Sequence, residues 1–102
     1  MSAPLTTTEG LKPGDVVTVS VELRDKATGN PYWWKRFAAV LPGPMTRNTA
    51  MLITLKLRPE DRDTRHVDFR KDVVVKLPED QWPQGVVAIR MKLIMQGVIK
   101  LD

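Results

Sequence analysis

The sequence contains no cysteine, which excludes a disulfide framework and a thiolate metal site and fits a reducing compartment. Histidine occurs once, at His66. A Ser-His-Asp arrangement would therefore need His66, and no spacing brings a serine and an aspartate to it. His66 stands beside Arg65 in a charged segment; it reads as a solvated side chain or as a general base, since its unperturbed pKa suits that task. There is no Gly-x-Ser-x-Gly elbow, no cysteine nucleophile and no phosphate-cradling glycine loop, which speaks against most hydrolase and nucleotide-using classes. Carboxylates cluster in "PEDRD" and "PED", but an arginine interrupts the first and neither follows a calcium-loop pattern. Neither a metal site nor a cofactor is expected. No apolar run approaches the roughly 20 residues that a transmembrane helix needs. The start "MSAPLTTTEG" lacks the basic and apolar regions of a signal peptide. A soluble, cytoplasmic protein without a membrane partner is expected.

What is present begins with size and charge. One domain is the default for 102 residues, and a chain of that length forms a core without staples. Lysine and arginine number 16 against 12 acidic residues, a formal charge of +4. The excess favours polyanionic partners, although a modest net charge also serves solubility alone.

Residues 1–10 are small, polar and threonine-rich, and read as a flexible tail. Residues 11–102 then form a single domain. "LKPGD" (11–15) is a turn that launches "VVTVSVELR", where Val17, Val19, Val21 and Leu23 alternate with Thr18, Ser20, Glu22 and Arg24. Strict alternation with β-branched residues is the signature of a half-buried strand. "DKATGNP" is a loop, "PYWWKRFAAVL" a second strand stopped by "PGP", and "NTAMLITLKLR" a third that alternates again. "PEDRDTRH" is the most charged segment and, with mixed signs, reads as an exposed loop. "VDF" and "DVVVKL" are short strands, and "PEDQWPQG" (78–85) is a loop or a single helical turn.

Two periodicities fit the closing segment "VVAIRMKLIMQGVIKLD". Val87, Ile89, Met91, Leu93, Met95, Ile99 and Leu101 share one parity, broken at Gly97, which predicts a strand with a bulge at the glycine. Val87, Arg90, Met91, Ile94, Val98 and Leu101 fit a helix. The strand matches more apolar positions and is the expectation. The whole is then all-β, a small barrel or sandwich of five to six mainly antiparallel strands.

The stretch "PYWWKRFAAVL" joins two tryptophans to two cations. Successive strand residues face opposite sides of a sheet, so Trp33 and Trp34 cannot enter the same core. Taking Phe37, Ala39 and Leu41 as the inward set puts Trp33 inside. Tyr32, Trp34 and Arg36 then lie outside, where an aromatic ring beside a cation suits base stacking and phosphate binding. The competing reading makes Trp34 a packing or dimer-interface residue. Trp82, in its loop, is either a lid over the barrel end or a contact residue.

In their order these features resemble the MazF/PemK family of endoribonuclease toxins. "PGDVVTVSV" is similar to the family's opening strand, "KRFAAVLPGP" to its arginine-bearing strand with Arg36 at the arginine position, and "MLITLKL" to the apolar strand that follows. "KLPEDQWPQGVVAIRMKLI" is similar to the closing half. The resemblance implies a Src-homology-3-like barrel, a homodimer, an RNA groove at or near the dimer interface, and an acidic antitoxin as partner. It also implies metal-independent cleavage, in which an arginine and a Thr or Ser act while a 2′-hydroxyl attacks the adjacent phosphate. Arginine suits that role by placing a permanent forked charge on the phosphorane. The chain departs from the pattern in two places. Phe37 replaces the proline after the arginine, and Leu57 and Arg58 stand where the hydroxyl residue is expected, leaving Thr54 as the nearest hydroxyl.

The expectation is a nucleic-acid-binding barrel, for RNA above all, either an endoribonuclease of that kind or a non-cleaving relative. Trp34, Lys35 and Arg36 form the centre of its surface, with Arg90 and Lys92 as neighbours, and Arg36 and Thr54 are the catalytic candidates. Two readings from other classes stand beside it. One is a phage or mobile-element module that docks on a host protein through Tyr32, Trp34 and Trp82. The other is a structural subunit whose closing strand extends a neighbour's sheet.

Overall fold

The computed structural model describes residues 3–100. Five strands run antiparallel in one sheet: β1 (Val16–Arg24), β2 (Pro31–Val40), β3 (Thr49–Thr54), β4 (Thr64–Asp68) and β5 (Val73–Lys76), followed by a 3-10 turn (Glu79–Gln81) and helix α1 (Gln84–Met95). The strand order is β4-β3-β2-β1-β5. Among the described residues no helix is long and apolar enough to cross a membrane.

β1 carries the longest ladder. It pairs along its whole length with β2, from Val16↔Ala39 to Arg24↔Pro31. Its other edge takes β5 only over Val17–Ser20. β2 in turn holds β3 only at Ala38–Val40. The β1–β2 hairpin therefore projects past the rest of the sheet as a two-stranded ribbon. Its connection is set by Asp25, whose carboxylate accepts the N–H groups of Ala27 and Thr28 at 2.7 and 3.2 Å.

β4 and β5 lie at opposite edges of the strand order, yet only Phe69–Asp72 separates them. Paired strands sit about 4.8 Å apart, so a flat sheet would hold these edges about 19 Å apart. The link is a tight turn, with the Lys71 and Asp72 N–H groups donating to the Asp68 carbonyl at 3.1 and 2.8 Å. The sheet must therefore curl into a small barrel-like form. Its inner face joins Val67 and Phe69 from one edge to Val74 from the other, around Val17, Val19 and Leu52. Burying each such side chain contributes about 1.5–3 kcal/mol.

A second, smaller core lies on the outer face. Val16, Ala39 and Val86 are buried there, with Ile53, Leu55, Leu77 and Trp82 against them. Helix α1 supplies Val86, and this corrects the strand expected at the end of the chain. Nearly every residue of "VVAIRMKLIM" is apolar, so alternate positions match a strand by default and carry no discrimination. The side chains that do get buried, Val86 and Leu93, with half-buried Ile89 and Arg90 between them, follow helical spacing. Gly97 is a helix stop rather than a bulge. Its φ is +75°, its N–H donates to the Ile94 carbonyl at 3.0 Å, and Val98 N–H donates to the Leu93 carbonyl at 2.9 Å. That pair of bonds is a Schellman closure, for which glycine is the usual residue. Leu101 lies outside the described residues.

Two smaller differences follow. The threonine-rich start is not loose where it is described. Leu5 N–H donates to the Val74 carbonyl at 2.8 Å, and the Thr8 hydroxyl donates to the Thr46 carbonyl at 2.6 Å. The third strand stops at Thr54 instead of running to Arg58, because the N–H groups of Leu57 and Arg58 turn inward to a buried carboxylate.

Candidate functional site

The two tryptophans of β2 do face opposite sides of the sheet, but the phase is the reverse of that expected. Trp34 pairs with Val21 and joins the inner core at 8% exposure, while Trp33 pairs with Glu22 and is 52% exposed. Phe37, expected inside, shares the outer face with Trp33 and is 38% exposed. The error came from the end of the strand. Ala38, Ala39 and Val40 are all fully buried, since the barrel interior takes Ala38 and Val40 while α1 covers Ala39. That run hides which parity faces the barrel.

Trp34 is held by Asp61, a residue of the charged segment read from sequence as exposed. Asp61 is buried at 8% exposure. Its carboxylate accepts Trp34 Nε1–H at 3.1 Å, Arg36 Nε–H at 2.8 Å and Arg36 Nη2–H at 3.1 Å. It also accepts the backbone N–H groups of Leu57 and Arg58 at 2.9 and 3.1 Å. The Arg36 guanidinium, the two N–H groups and the indole hold the Asp61 carboxyl well below the usual carboxylate range, against the opposing effect of burial. Arg36 is nearly as buried, its side chain 9% exposed. A charged pair this deep is tolerable because every donor and acceptor is matched. No buried side-chain polar atom among the described residues lacks a partner.

The knot closes one end of the barrel and gathers cations around it. The guanidinium carbons of Arg36 and Arg65 lie 4.8 and 4.9 Å from the Trp34 ring centroid, within cation–π range. Arg65 reaches the ring because β4 pairs Arg65 with Leu52 on the inner face. Above the knot is a cleft of about 340 Å³ whose lining includes Lys26, Tyr32, Arg58, Glu60, Arg62 and Arg65. It continues into a shallower hollow along the ribbon, past Arg24 and Asp25. Arg36 is matched to Asp61, whereas Lys26, Arg58, Arg62 and Arg65 form no ion pair among the described residues. Among the described residues the cleft therefore presents four cations outside any ion pair, the carboxylate of Glu60 beside the already paired one of Asp61, and the half-exposed ring of Tyr32.

No family model, curated protein or solved structure matches the chain. The site therefore has to be read from its own chemistry.

Among the residues expected at the site, Trp34, Arg36 and Tyr32 do come together. Lys35 does not join them: it pairs with Ser20 on the outer face. Arg90 and Lys92 lie on α1. Arg90 Nε–H donates to the Gly14 carbonyl at 2.8 Å and its guanidinium carbon lies 4.8 Å from the Trp82 ring, so it fastens the helix to the turn before β1. Trp82 is no exposed anchor. It is half-buried in the outer core, with Nε1–H donating to the Leu77 carbonyl at 3.1 Å. Thr54 is 2% exposed and its hydroxyl donates to the Arg62 carbonyl at 2.7 Å. His66 is exposed on β4, opposite Met51. Sequence reasoning missed Asp61, Arg58, Arg62 and Arg65. The one local signal was three arginines within eight residues around a carboxylate, and mixed sign hid it.

Proposed function

We propose that this protein binds nucleic acid, RNA in particular, through the cationic cleft above the Asp61 knot. The observation that carries the reading is the convergence of Lys26, Arg58, Arg62 and Arg65, none in an ion pair among the described residues, beside the half-exposed Tyr32. Unpaired guanidinium groups around one cleft suit phosphate oxygens, which they grip in a forked geometry. An aromatic side chain at the rim supplies a face for a base.

In this reading the chain is a binding, non-cleaving relative of the MazF/PemK toxins. A transition-state arginine has to be free to meet the phosphorane, and Arg36 is committed to Asp61 through two hydrogen bonds. The Thr54 hydroxyl is likewise committed, to the Arg62 carbonyl.

The test is anisotropy of a labelled single-stranded RNA across a salt series. Binding that weakens steadily as salt rises supports the cleft, since displaced counterions set that dependence. Absence of binding at low salt, or binding indifferent to salt, overturns it. Cleavage of the RNA during the titration would overturn the non-cleaving part alone.

A further inference from the structure

The outer face of the ribbon carries a second feature that the cleft does not use. Helix α1 covers this face near Val16, Ala39, Ile53 and Leu55. Farther along the same face β2 presents Trp33, Lys35 and Phe37 in alternation, all exposed. Their partners on β1 are Glu22, Ser20 and Thr18. Each second residue advances about 6.7 Å along a strand, so the two rings stand about 13 Å apart with the ammonium between them.

We infer that this face is a stacking platform for a single nucleic-acid strand, with one base on Trp33, another on Phe37, and the backbone between them crossing Lys35. The inference rests on the proposed nucleic-acid reading and deepens it: the cleft holds phosphate, and the platform selects unpaired bases. Three features favour a nucleic acid over a protein partner. The rings are separated by a cation rather than fused into one apolar patch. Their direct partners Thr18 and Ser20 offer hydroxyls, which set the rings apart from the half-buried Val73 and Val75 on the next strand. The protein as a whole carries +4, which complements a polyanion. Glu22, beside Trp33, is the carboxylate of this face, and it leaves Lys35 unpaired among the described residues. Rings on a sheet face accept any base, because every base has a π-face.

The experiment compares a labelled oligo(A) single strand with an RNA duplex of equal length, using wild-type protein and the variants Trp33→Ala, Phe37→Ala, Trp33→Phe and Lys35→Ala. Thermal unfolding verifies that each variant folds. Each alanine at a ring position should weaken oligo(A) binding about five- to 150-fold, leave the salt slope unchanged and leave duplex binding unaltered. Trp33→Phe should restore most of the loss, and Lys35→Ala should lower the salt slope. Oligo(A) should also quench the intrinsic fluorescence of the wild type much more than that of Trp33→Ala, because Trp33 is the exposed tryptophan while Trp34 is buried at the cleft floor and Trp82 is half-buried. Wild-type binding that survives both ring substitutions overturns the platform and leaves the cleft reading standing. Equal loss for single strand and duplex overturns base stacking. A dimer by light scattering that Trp33→Ala dissociates, with RNA affinity intact, assigns the face to a second copy of the chain. Absence of any wild-type binding removes cleft and platform together.

Discussion

The guanidinium of Arg36 grips both oxygens of Asp61, Nε to Oδ2 at 2.8 Å and Nη2 to Oδ1 at 3.1 Å, with side chains 9% and 4% exposed. The same carboxylate fastens the Trp34 indole and the loop that bears Arg58. One residue thus ties the barrel's inner face to the cationic cleft.

Breaking that tie from one side leaves a buried charge without its partner. Asp61→Ala should lose about 3–5 kcal/mol of stability, read as a fall in the denaturant midpoint. Replacing Asp61 and Arg36 together by apolar residues should cost clearly less than the sum of the two single losses, since no orphaned charge remains and only the N–H groups of Trp34, Leu57 and Arg58 lose their acceptor. A double loss equal to the sum of the two single losses would contradict the pairing.

Acid should find the same residue. The unfolded Asp61 carboxyl titrates near about pH 3.9, and the native one well below that, chiefly because of Arg36. Between those values the unfolded chain holds the extra proton, so stability falls as pH drops below about 4, while above it this group's contribution is fully present and constant. Thermal midpoints of Asp61→Asn should show a shallower fall through that window. Asp68, lowered by Arg70, leaves a residual slope that is weak because Arg70 is exposed.

Phosphate contacts have a different signature. For single-stranded nucleic acid each neutralised phosphate contributes about 0.7 to the slope of log affinity against log salt. Arg58→Ala and Arg62→Ala should each lower the slope by about that amount, with unfolding midpoints unchanged. A slope unaltered by both removes the cleft from the interface.

Arg90 should behave as a fastener and not as a nucleic-acid contact. Arg90→Ala removes a charge-assisted bond to Gly14 and the stacking on Trp82, and should cost about 2 kcal/mol of stability. RNA affinity of the folded variant should stay at the wild-type value. Arg90→Lys should rescue little, since an ammonium cannot both stack on the indole and donate from a planar fork.

Gly97 isolates a backbone effect. A Cβ there would meet nothing within 4 Å, yet φ is +75°. Gly97→Ala should destabilise by about 1 kcal/mol through left-handed strain alone, measurable by chemical denaturation.

Much of the barrel was legible because alternation is a local signal: β1 announces itself in Val17, Val19 and Val21, and its turn in Pro13 and Gly14. The identity of the inward face of β2 was not, because Ala38, Ala39 and Val40 are buried from both sides by elements distant in the chain. The helix was obscured by its own uniform hydrophobicity, which satisfies either period. Asp61 was illegible for another reason. Its burial depends on Trp34 and Arg36, far away in sequence, and a carboxylate among arginines gives no hint that it points inward. The correction matters for function, since it moved Trp33 and Phe37 to solvent and Trp34 away from it.

The interior position of β1, between β2 and β5, bears on how the chain is made. Its partner β2 follows immediately, but its other edge waits for β5, which ends at Lys76. During synthesis the run "VVTVSV" therefore leaves the ribosome with one row of backbone donors and acceptors open until four further elements have emerged. Such a β-branched run, low in charge, is the kind of segment that recruits foreign strands. Slowing translation between β2 and β5 would lengthen that exposure, so the nascent chain should be most dependent on holding chaperones over this interval.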